Sequence, residues 1–356
     1  MSDSATGSHQ RIHRSTPDFL KKILIIRLGA FGDVVRTIPA VDALKAVYPE
    51  SSITWLVDEG SANILQGADC LDSVIILPRK GILHDLSGAV SALMKIRHQK
   101  FTCVLDFHGL FRSGLFAFLS GCRHRVGFSK DHVREINHLF NNIYIDPGTD
   151  NISRYQKNHF LVELFDVPSK YTPPKISLMQ GENEIIDEFI ASLGGGQFVT
   201  VHPGTSYRGR YKRWYPERFA VISDFIVKKY NLSVILLFTE EEKIIVDEII
   251  SKSKEHLFLS PKINQRQLYY LISRSRLYIG LDSGSMHIAS LSATPIVAIF
   301  GPSDVIHNKP ADYAPYRIVY CEVDCAPCRN RSCRVRHCMD AVQTHDVIEA
   351  IQEMME

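Results

Sequence analysis

KILIIRLGAFGDVVRTIPAVDALKAVYP, residues 22–49, opens as an unbroken apolar run and then changes period. Lys22 to Leu28 reads as a strand buried on both faces, and Val34, Ile38, Val41 and Leu44 fall on one side of a helix. Gly29, Gly32 and Asp33 therefore sit on a strand-to-helix turn at the carboxyl edge of a parallel sheet. Pro39 lies inside that helix and is expected to distort its early turns, because its ring clashes with the carbonyl four residues back. The glycines mark a backbone that bends sharply or is closely approached. Their spacing is not G-x-G-x-x-G, which disfavours an NAD-dependent dehydrogenase. Asp33 reads in two ways, as a carboxylate that caps and complements a helix start or as a general base facing a cleft.

Similar strand-like runs follow at Ile53–Val57, Ser73–Leu77, Thr102–Asp106 and Asn142–Asp146, separated by stretches with helical spacing. A second series occupies Phe198–His202, Leu232–Phe238, His256–Ser260, Leu277–Leu281, Pro295–Phe300 and Tyr316–Tyr320. Between them VPSKYTPPKISLMQ, residues 167–180, holds three prolines and no periodicity, as a linker does. The expected organisation is a disordered leader over 1–20, an α/β domain over 21–167, a linker over 168–181, a second α/β domain over 182–342 and a closing helix over 343–356. Two such domains leave a cleft between the carboxyl ends of their strands, where ligands bind. No internal sequence repeat is evident.

Composition bounds the partners. With a net charge of +2 over 356 residues, the chain lacks the strongly basic face of a duplex nucleic-acid binder. Residues 1–20 have no continuous apolar core of the signal-peptide kind, and no stretch reaches the roughly 18 to 20 apolar residues of a membrane span. A cytoplasmic protein, at most peripheral to a membrane, is expected.

The second series carries the most informative run, YIGLDSGSMHIA at residues 278–289. A strand ending at Asp282, a tight turn at Ser283 and Gly284, and a helix opening just beyond form an anion site, because helix N-termini present free N–H groups and a favourable dipole. His287 lies about one turn into that helix. The alternative is an ordinary cap with a core histidine. HPGTSYRGRYKRW, residues 202–214, follows another strand end. Thr205 and Ser206 are small enough to let a phosphate approach, and Arg208, Arg210, Lys212 and Arg213 could neutralise a diphosphate; a solvated basic loop with Trp214 in the core is the plainer reading. Glu240, Glu241 and Glu242 follow a third strand, where an acidic group suits either ribose hydroxyls or a helix start.

Together RLGAFGDVVRTIPAVDALK, DFHGLFRSGL (106–115), HPGTS with KRW, and DSGSMHIASLSATPIVAIFGPSD (282–304) resemble glycosyltransferase family 9, the ADP-heptose:lipopolysaccharide heptosyltransferases. The resemblance implies a GT-B fold, with two Rossmann-like domains facing a central cleft, the acceptor held by the first and an ADP-sugar donor by the second. It implies Asp33 as the catalytic base and Lys212 as the group that stabilises the departing diphosphate. Donor binding falls to Thr205, Ser206, Lys212, Asp282, Ser283, Gly284 and His287, and more loosely to Glu240 or Glu241. The acceptor side would use Gly32, His108, Arg112 and Arg134, with Arg123, Arg125 and Lys130 nearby, to hold a lipid-linked oligosaccharide such as Kdo-lipid A at the inner membrane surface. No cofactor is implied, no D-x-D pair is present to hold a metal at the diphosphate, and a monomer is expected.

Two matters stay open at this level. Cys325, Cys328, Cys333 and Cys338 offer four thiols, one pair with C-x-x-C spacing, for a structural zinc or an iron-sulfur centre, against reduced thiols in a cytosolic protein. Another nucleotide sugar, a nucleotide-sugar epimerase on the same architecture, or an idle binding module are the competing functions.

Overall fold

The computed structural model describes residues 16–78, 86–328 and 330–356. Its strands are β1 (Lys22–Ile26), β2 (Ser52–Asp58), β3 (Ser73–Leu77), β4 (Cys103–Asp106), β5 (His124–Phe128) and β6 (Ile143–Ile145), then β7 (Phe198–His202), β8 (Ser233–Leu236), β9 (Phe258–Leu259), β10 (Leu277–Leu281), β11 (Ile296–Ile299) and β12 (Tyr316–Val319). They form two six-stranded sheets, ordered β3-β2-β1-β4-β5-β6 and β12-β11-β10-β7-β8-β9. Every pairing within them is parallel. Counted from its own first strand, each sheet has the order 3-2-1-4-5-6 of a Rossmann fold. The expected α/β class with two parallel sheets is therefore observed, and the topology is duplicated without a repeated sequence.

The continuous apolar runs have a direct cause. Ile23 and Ile25 of β1 enter one apolar cluster while Leu24 and Ile26 enter another on the opposite face, so both faces of the strand are covered. In the second sheet Tyr278 packs on one side, and Leu277, Ile279 and Leu281 on the other. The first cluster also joins Val34 and Ile38 to Met286 and Ile288, so a single apolar body crosses from one sheet's helices to the other's. Each such side chain, fully buried, contributes roughly 1.5–3 kcal/mol.

Three expectations need correction. The leader does not extend to residue 20, because Asp18–Leu20 forms a 3-10 turn whose Leu20 is fully buried, and Phe19 packs its ring against Phe165; residues 1–15 lie outside the described residues. The helix Phe31–Val47 runs through Pro39 without a break. Strand β5 was not among the expected runs, since His124, Arg125 and Gly127 interrupt its apolar character. Gly127 is needed there because a Cβ would overlap the Asn141 side chain.

The proline-containing stretch is not loose either. Val167 and Ile176 are buried, and Ile176 bridges Ala68 in an isolated antiparallel pair. The closing helix Thr344–Met355 lays Val347, Ala350, Ile351 and Met355 against the second sheet's core, while Ile348 and Met354 are only partly covered.

Candidate active site

In an open parallel sheet a crevice forms where strand order reverses. Here the reversals fall between β1 and β4 and between β7 and β10. The turns leaving those four strands carry Gly29–Asp33, Phe107–Gly109, Pro203–Ser206 and Asp282–Gly284. All four quoted motifs thus sit at switch points, two per sheet.

The two helices that leave β1 and β10 meet across the cleft. A Cβ on Gly284 would come within 2.5 Å of the Phe31 ring, and one on Gly32 within 3.4 Å of the His287 ring and 3.7 Å of the Gly284 Cα. Gly284 leaves no room for a side chain beneath the Phe31 ring, whereas a Cβ on Gly32 would make ordinary contacts. Neither helix start, at Ala30 or at Ser283, is capped by its own side chain. Their free N–H groups consequently face the cleft.

Asp33 is the third residue of its helix and makes no cap. Its carboxylate instead receives three guanidinium groups, with Arg27 at 2.7 Å, Arg154 at 3.2 Å and Arg36 as the third. Burial alone would raise its pKa, but Arg27, Arg36 and Arg154 outweigh that cost and hold it far below the ordinary carboxylate range. Arg36 also donates to the Asn308 side chain at 3.0 Å, tying this cage to the second sheet. Three cations on one anion leave the pocket electropositive.

The adjoining loop is built on another buried acid. Asp106 accepts from the backbone N–H groups of His108 (2.9 Å) and Gly109 (3.3 Å) and from Ser113 Oγ (3.0 Å) and Asn137 Nδ2 (2.7 Å). Burial raises its pKa. Burial first, and then Arg27, lowers the His108 pKa to about 4, so this imidazole is neutral near pH 7. Arg112 pairs with Asp58 at 2.9 Å, and Arg134 is exposed with its N–H bonded to the Gly109 carbonyl at 3.0 Å. Gly32, Asp33, His108 and Arg112 therefore surround one end of the first sheet, with Arg134 at its rim.

On the second sheet Lys212 reaches Asp282 at 2.6 Å, although 70 residues separate them. Burial pushes the Asp282 carboxyl up, and Lys212 together with Ser303 brings it below its ordinary value. Thr205 is buried and is held by Arg213 through its hydroxyl (3.2 Å) and carbonyl (2.8 Å), whereas Ser206, Arg208 and Arg210 are exposed. Trp214 packs in the core, its indole N–H on the Val342 carbonyl at 3.0 Å. His287 is fully enclosed; burial and then Arg36 keep it well below its usual pKa, so it is neutral, with Nδ1 3.2 Å from the Tyr155 hydroxyl.

Sequence reasoning missed several groups. Of the three consecutive glutamates, Glu242 is the one turned inward, its carboxylate accepting from Thr239 N and Oγ1 (both 2.9 Å) and lying 3.2 Å from His202 Nε2, while Glu240 and Glu241 are exposed. A chain continues from His202 Nδ1 to Ser285 Oγ at 2.6 Å and on to the Tyr278 hydroxyl at 2.8 Å. This network braces the turn at Ser283. Arg27, Arg36, Arg154 and Tyr155 were missed too; of these Arg27, the polar residue that directly follows β1 between Ile26 and Leu28, carried a visible signal.

The cysteines are gathered but not disposed as ligands. Cys325, Cys328, Cys333 and Cys338 line one cavity of about 30 Å³, room for little more than a water molecule. Among the described residues no three His, Cys, Asp or Glu side chains are placed to hold a metal ion. Cys338 lies buried on a short helix and Cys325 on an exposed loop. The four thiols thus share one cavity, and a zinc or iron-sulfur centre there is not shown.

Comparison with known proteins agrees with the cleft. The lipopolysaccharide core heptosyltransferase OpsX of Haemophilus influenzae is 24% identical over 303 residues, 83% of this chain and 82% of that protein. A glycosyl transferase family 9 structure from Veillonella parvula superposes with a TM-score of 0.81 at 20% identity, covering 97% of this chain and 98% of its own. The E. coli heptosyltransferase WaaC with ADP-2-deoxy-2-fluoro heptose gives 0.72 at 17% identity, covering 93% and 99%. The family model described as glycosyltransferase family 9 (heptosyltransferase) matches residues 90–339. The chain belongs to glycosyltransferase family 9, and it is a glycosyltransferase enzyme.

Proposed function

We propose that this enzyme transfers a heptose from an ADP-sugar donor to an inner-core lipopolysaccharide acceptor, with inversion at the anomeric carbon. The observation that carries the proposal is the contact of the two helix starts, which sets the Asp33 carboxylate opposite the Lys212–Asp282 pair and the uncapped Gly284 helix. The relatives' names and the sugar-nucleotide analogue carried by WaaC support the donor and the acceptor.

The chemistry follows from the charges. The acceptor hydroxyl oxygen forms a bond to the anomeric carbon from the face opposite the nucleotide, and the bond from that carbon to the β-phosphate oxygen breaks with its electron pair. The departing ADP is met by Lys212 and the free N–H groups beyond Ser283. Asp33 takes the hydroxyl proton. A carboxylate held so strongly as an anion is a weak base toward a free alcohol, so the proton moves late, once bonding to carbon has made the hydroxyl acidic. The arginine cage also has to open by at least one guanidinium to admit that hydroxyl, and the freed cation then lies beside the acceptor's anionic groups.

His108, Arg112 and Arg134 are read as the acceptor side; Thr205, Ser283, Gly284 and the buried Glu242, in place of Glu241, as the donor side. The enzyme works as a cytoplasmic monomer, peripheral to the inner membrane, and needs no cofactor. A donor screen of ADP-heptose against other sugar nucleotides, with mass detection of the extended acceptor and the released nucleotide, tests the reading. Product formed from ADP-heptose only with acceptor present is expected. Rearranged donor without acceptor would make the protein an epimerase, and turnover with a different nucleotide sugar would replace the heptose.

A further inference from the structure

No helix among the described residues is long and apolar enough to cross a membrane, yet the acceptor proposed above is anchored in one. We infer that the surface formed by the helix Phe111–Leu119 and the 3-10 turn Asn137–Phe140 docks the enzyme on an anionic phospholipid bilayer. This inference rests on the acceptor reading under "Proposed function", and it concerns an apolar surface next to Arg112 and Arg134 that the reading leaves unassigned.

Five of the nineteen exposed large apolar side chains among the described residues fall between 111 and 144, namely Phe111, Phe118, Ile136, Leu139 and Tyr144. Leu139 is 64% exposed and Phe118 53%. Four of them, Phe111, Phe118, Ile136 and Leu139, gather about the turn that holds Phe140. The half-buried Phe140 ring stands edge-on to Phe111 at 5.4 Å and to Phe118 at 6.2 Å, and Ile136 and Leu139 cap the same turn through the Leu139 N–H to Ile136 carbonyl bond at 3.0 Å. Gly114 allows the turn to lie so close, since a Cβ there would come within 2.6 Å of the Phe140 ring. Apolar residues grouped in this way, rather than scattered, mark an interaction face.

Charge selects the partner. Residues 108–144 hold Arg112, Arg123, Arg125, Lys130 and Arg134 against Asp131, Glu135 and the Asp58 that pairs with Arg112, an excess of two positive charges, as many as the whole chain carries. Glu135 is tied to the Phe111 N–H at 2.7 Å, and Arg125 lies over the Phe118 ring at 5.6 Å. Arg123, Lys130 and Arg134 are exposed and have no ion-pair partner among the described residues. An aromatic and aliphatic tip on a stretch of chain that also carries free cations matches the boundary between anionic headgroups and acyl chains, where aromatic rings insert and basic residues are attracted to the negative surface.

The patch is rigidly coupled to the acceptor end of the cleft. Ser113 from the helix and Asn137 from the turn both donate to the Asp106 carboxylate that organises His108 and Gly109. Docking by this face therefore holds the mouth beside Asp33 and Arg112 at the height of a lipid-anchored sugar.

The test uses the full chain with vesicles and no acceptor. Wild type should co-sediment with vesicles containing phosphatidylglycerol and at least tenfold less with phosphatidylcholine alone or at high salt. Leu139→Asp and Ile136→Asp should each lower the partitioning at least tenfold at unchanged thermal melting. Both variants should transfer sugar to a deacylated, soluble acceptor at the wild-type rate and at least tenfold more slowly to acceptor embedded in vesicles. Equal sedimentation of variants and wild type, or no preference for the anionic lipid, overturns the docking face. A wild-type dimer that Leu139→Asp converts to monomer overturns it as well, by making the face a contact between copies. Failure to transfer to either acceptor would instead count against the heptosyltransferase reading and leave the sedimentation result standing.

Discussion

The two sheets share one strand order and use their switch points in opposite ways. At the first, one carboxylate is surrounded by three guanidinium groups drawn from a strand end, its own helix and a helix 121 residues away. At the second, a single Lys212–Asp282 pair stands beside a hydrogen-bonded chain of Glu242, His202, Ser285 and Tyr278. A common topology supplies the crevice, while the side chains placed on it decide its chemistry. The first half stores an anion under tension from competing cations, suited to giving one of them up. The second offers fixed donors, suited to receiving a charge that develops elsewhere.

Removing the stored anion should have the largest effect. Asp33→Asn is expected to lower single-turnover transfer about a thousandfold while donor affinity stays within a few fold. A variant that keeps turnover would move the base out of the first sheet altogether. Lys212→Ala should cost about a hundredfold in kcat/KM and weaken donor binding, because one donor to the departing diphosphate is lost and Asp282 is left unpaired. If the two variants proved equal in both readouts, the division of labour between the halves would collapse.

The halves are also fastened, away from the chemistry. Arg266, which is buried, donates to Glu182 at 2.9 and 2.6 Å and to the Asn63 carbonyl across the cleft at 2.6 Å. Arg266→Ala should lower unfolding stability by about 3 kcal/mol in denaturant titrations, with a much smaller change in kcat measured well below the melting temperature.

A smaller, pH-dependent effect runs through both halves, since His108 and His287 are each held neutral by burial. The native His108 has its pKa lowered from 6.5 to about 4, so the unfolded chain takes up a proton more readily. Its contribution is complete above pH 6.5 and is lost as pH falls from there toward 4, by roughly 3 kcal/mol at most. His108→Gln should flatten that part of the stability profile in thermal melts; an unchanged profile would place the acid sensitivity elsewhere. Smallest of all, Tyr155→Phe removes the hydroxyl that meets His287 at 3.2 Å and should slow transfer several-fold, about 1 kcal/mol.

Much of this was legible beforehand. Strands β1, β4, β7 and β10 announce themselves because burial on both faces demands uninterrupted apolar side chains, and each ends in a turn whose glycines and polar residues stand out. The cage around Asp33 was not legible, since Arg27, Arg36 and Arg154 meet only after the chain has folded. Nor could three adjacent glutamates reveal which one faces inward: successive residues on a 3-10 turn point about 120° apart, and Glu242 won by reaching His202 and closing on Thr239. The four cysteines stand between these cases. Their spacing suggests a ligand set, and the fold gathers the thiols on one void with no metal site shown among the described residues.

The meeting of Gly32 and Gly284 fixes a dimension. Each glycine is met by a ring from the other half, Gly284 by Phe31 and Gly32 by His287, so an aromatic ring seated on bare backbone acts as a spacing gauge between the halves. A single methyl at Gly284, driven against Phe31, would work as a shim: it would lengthen the step between donor and acceptor while leaving every charged group in its own sheet where it stands.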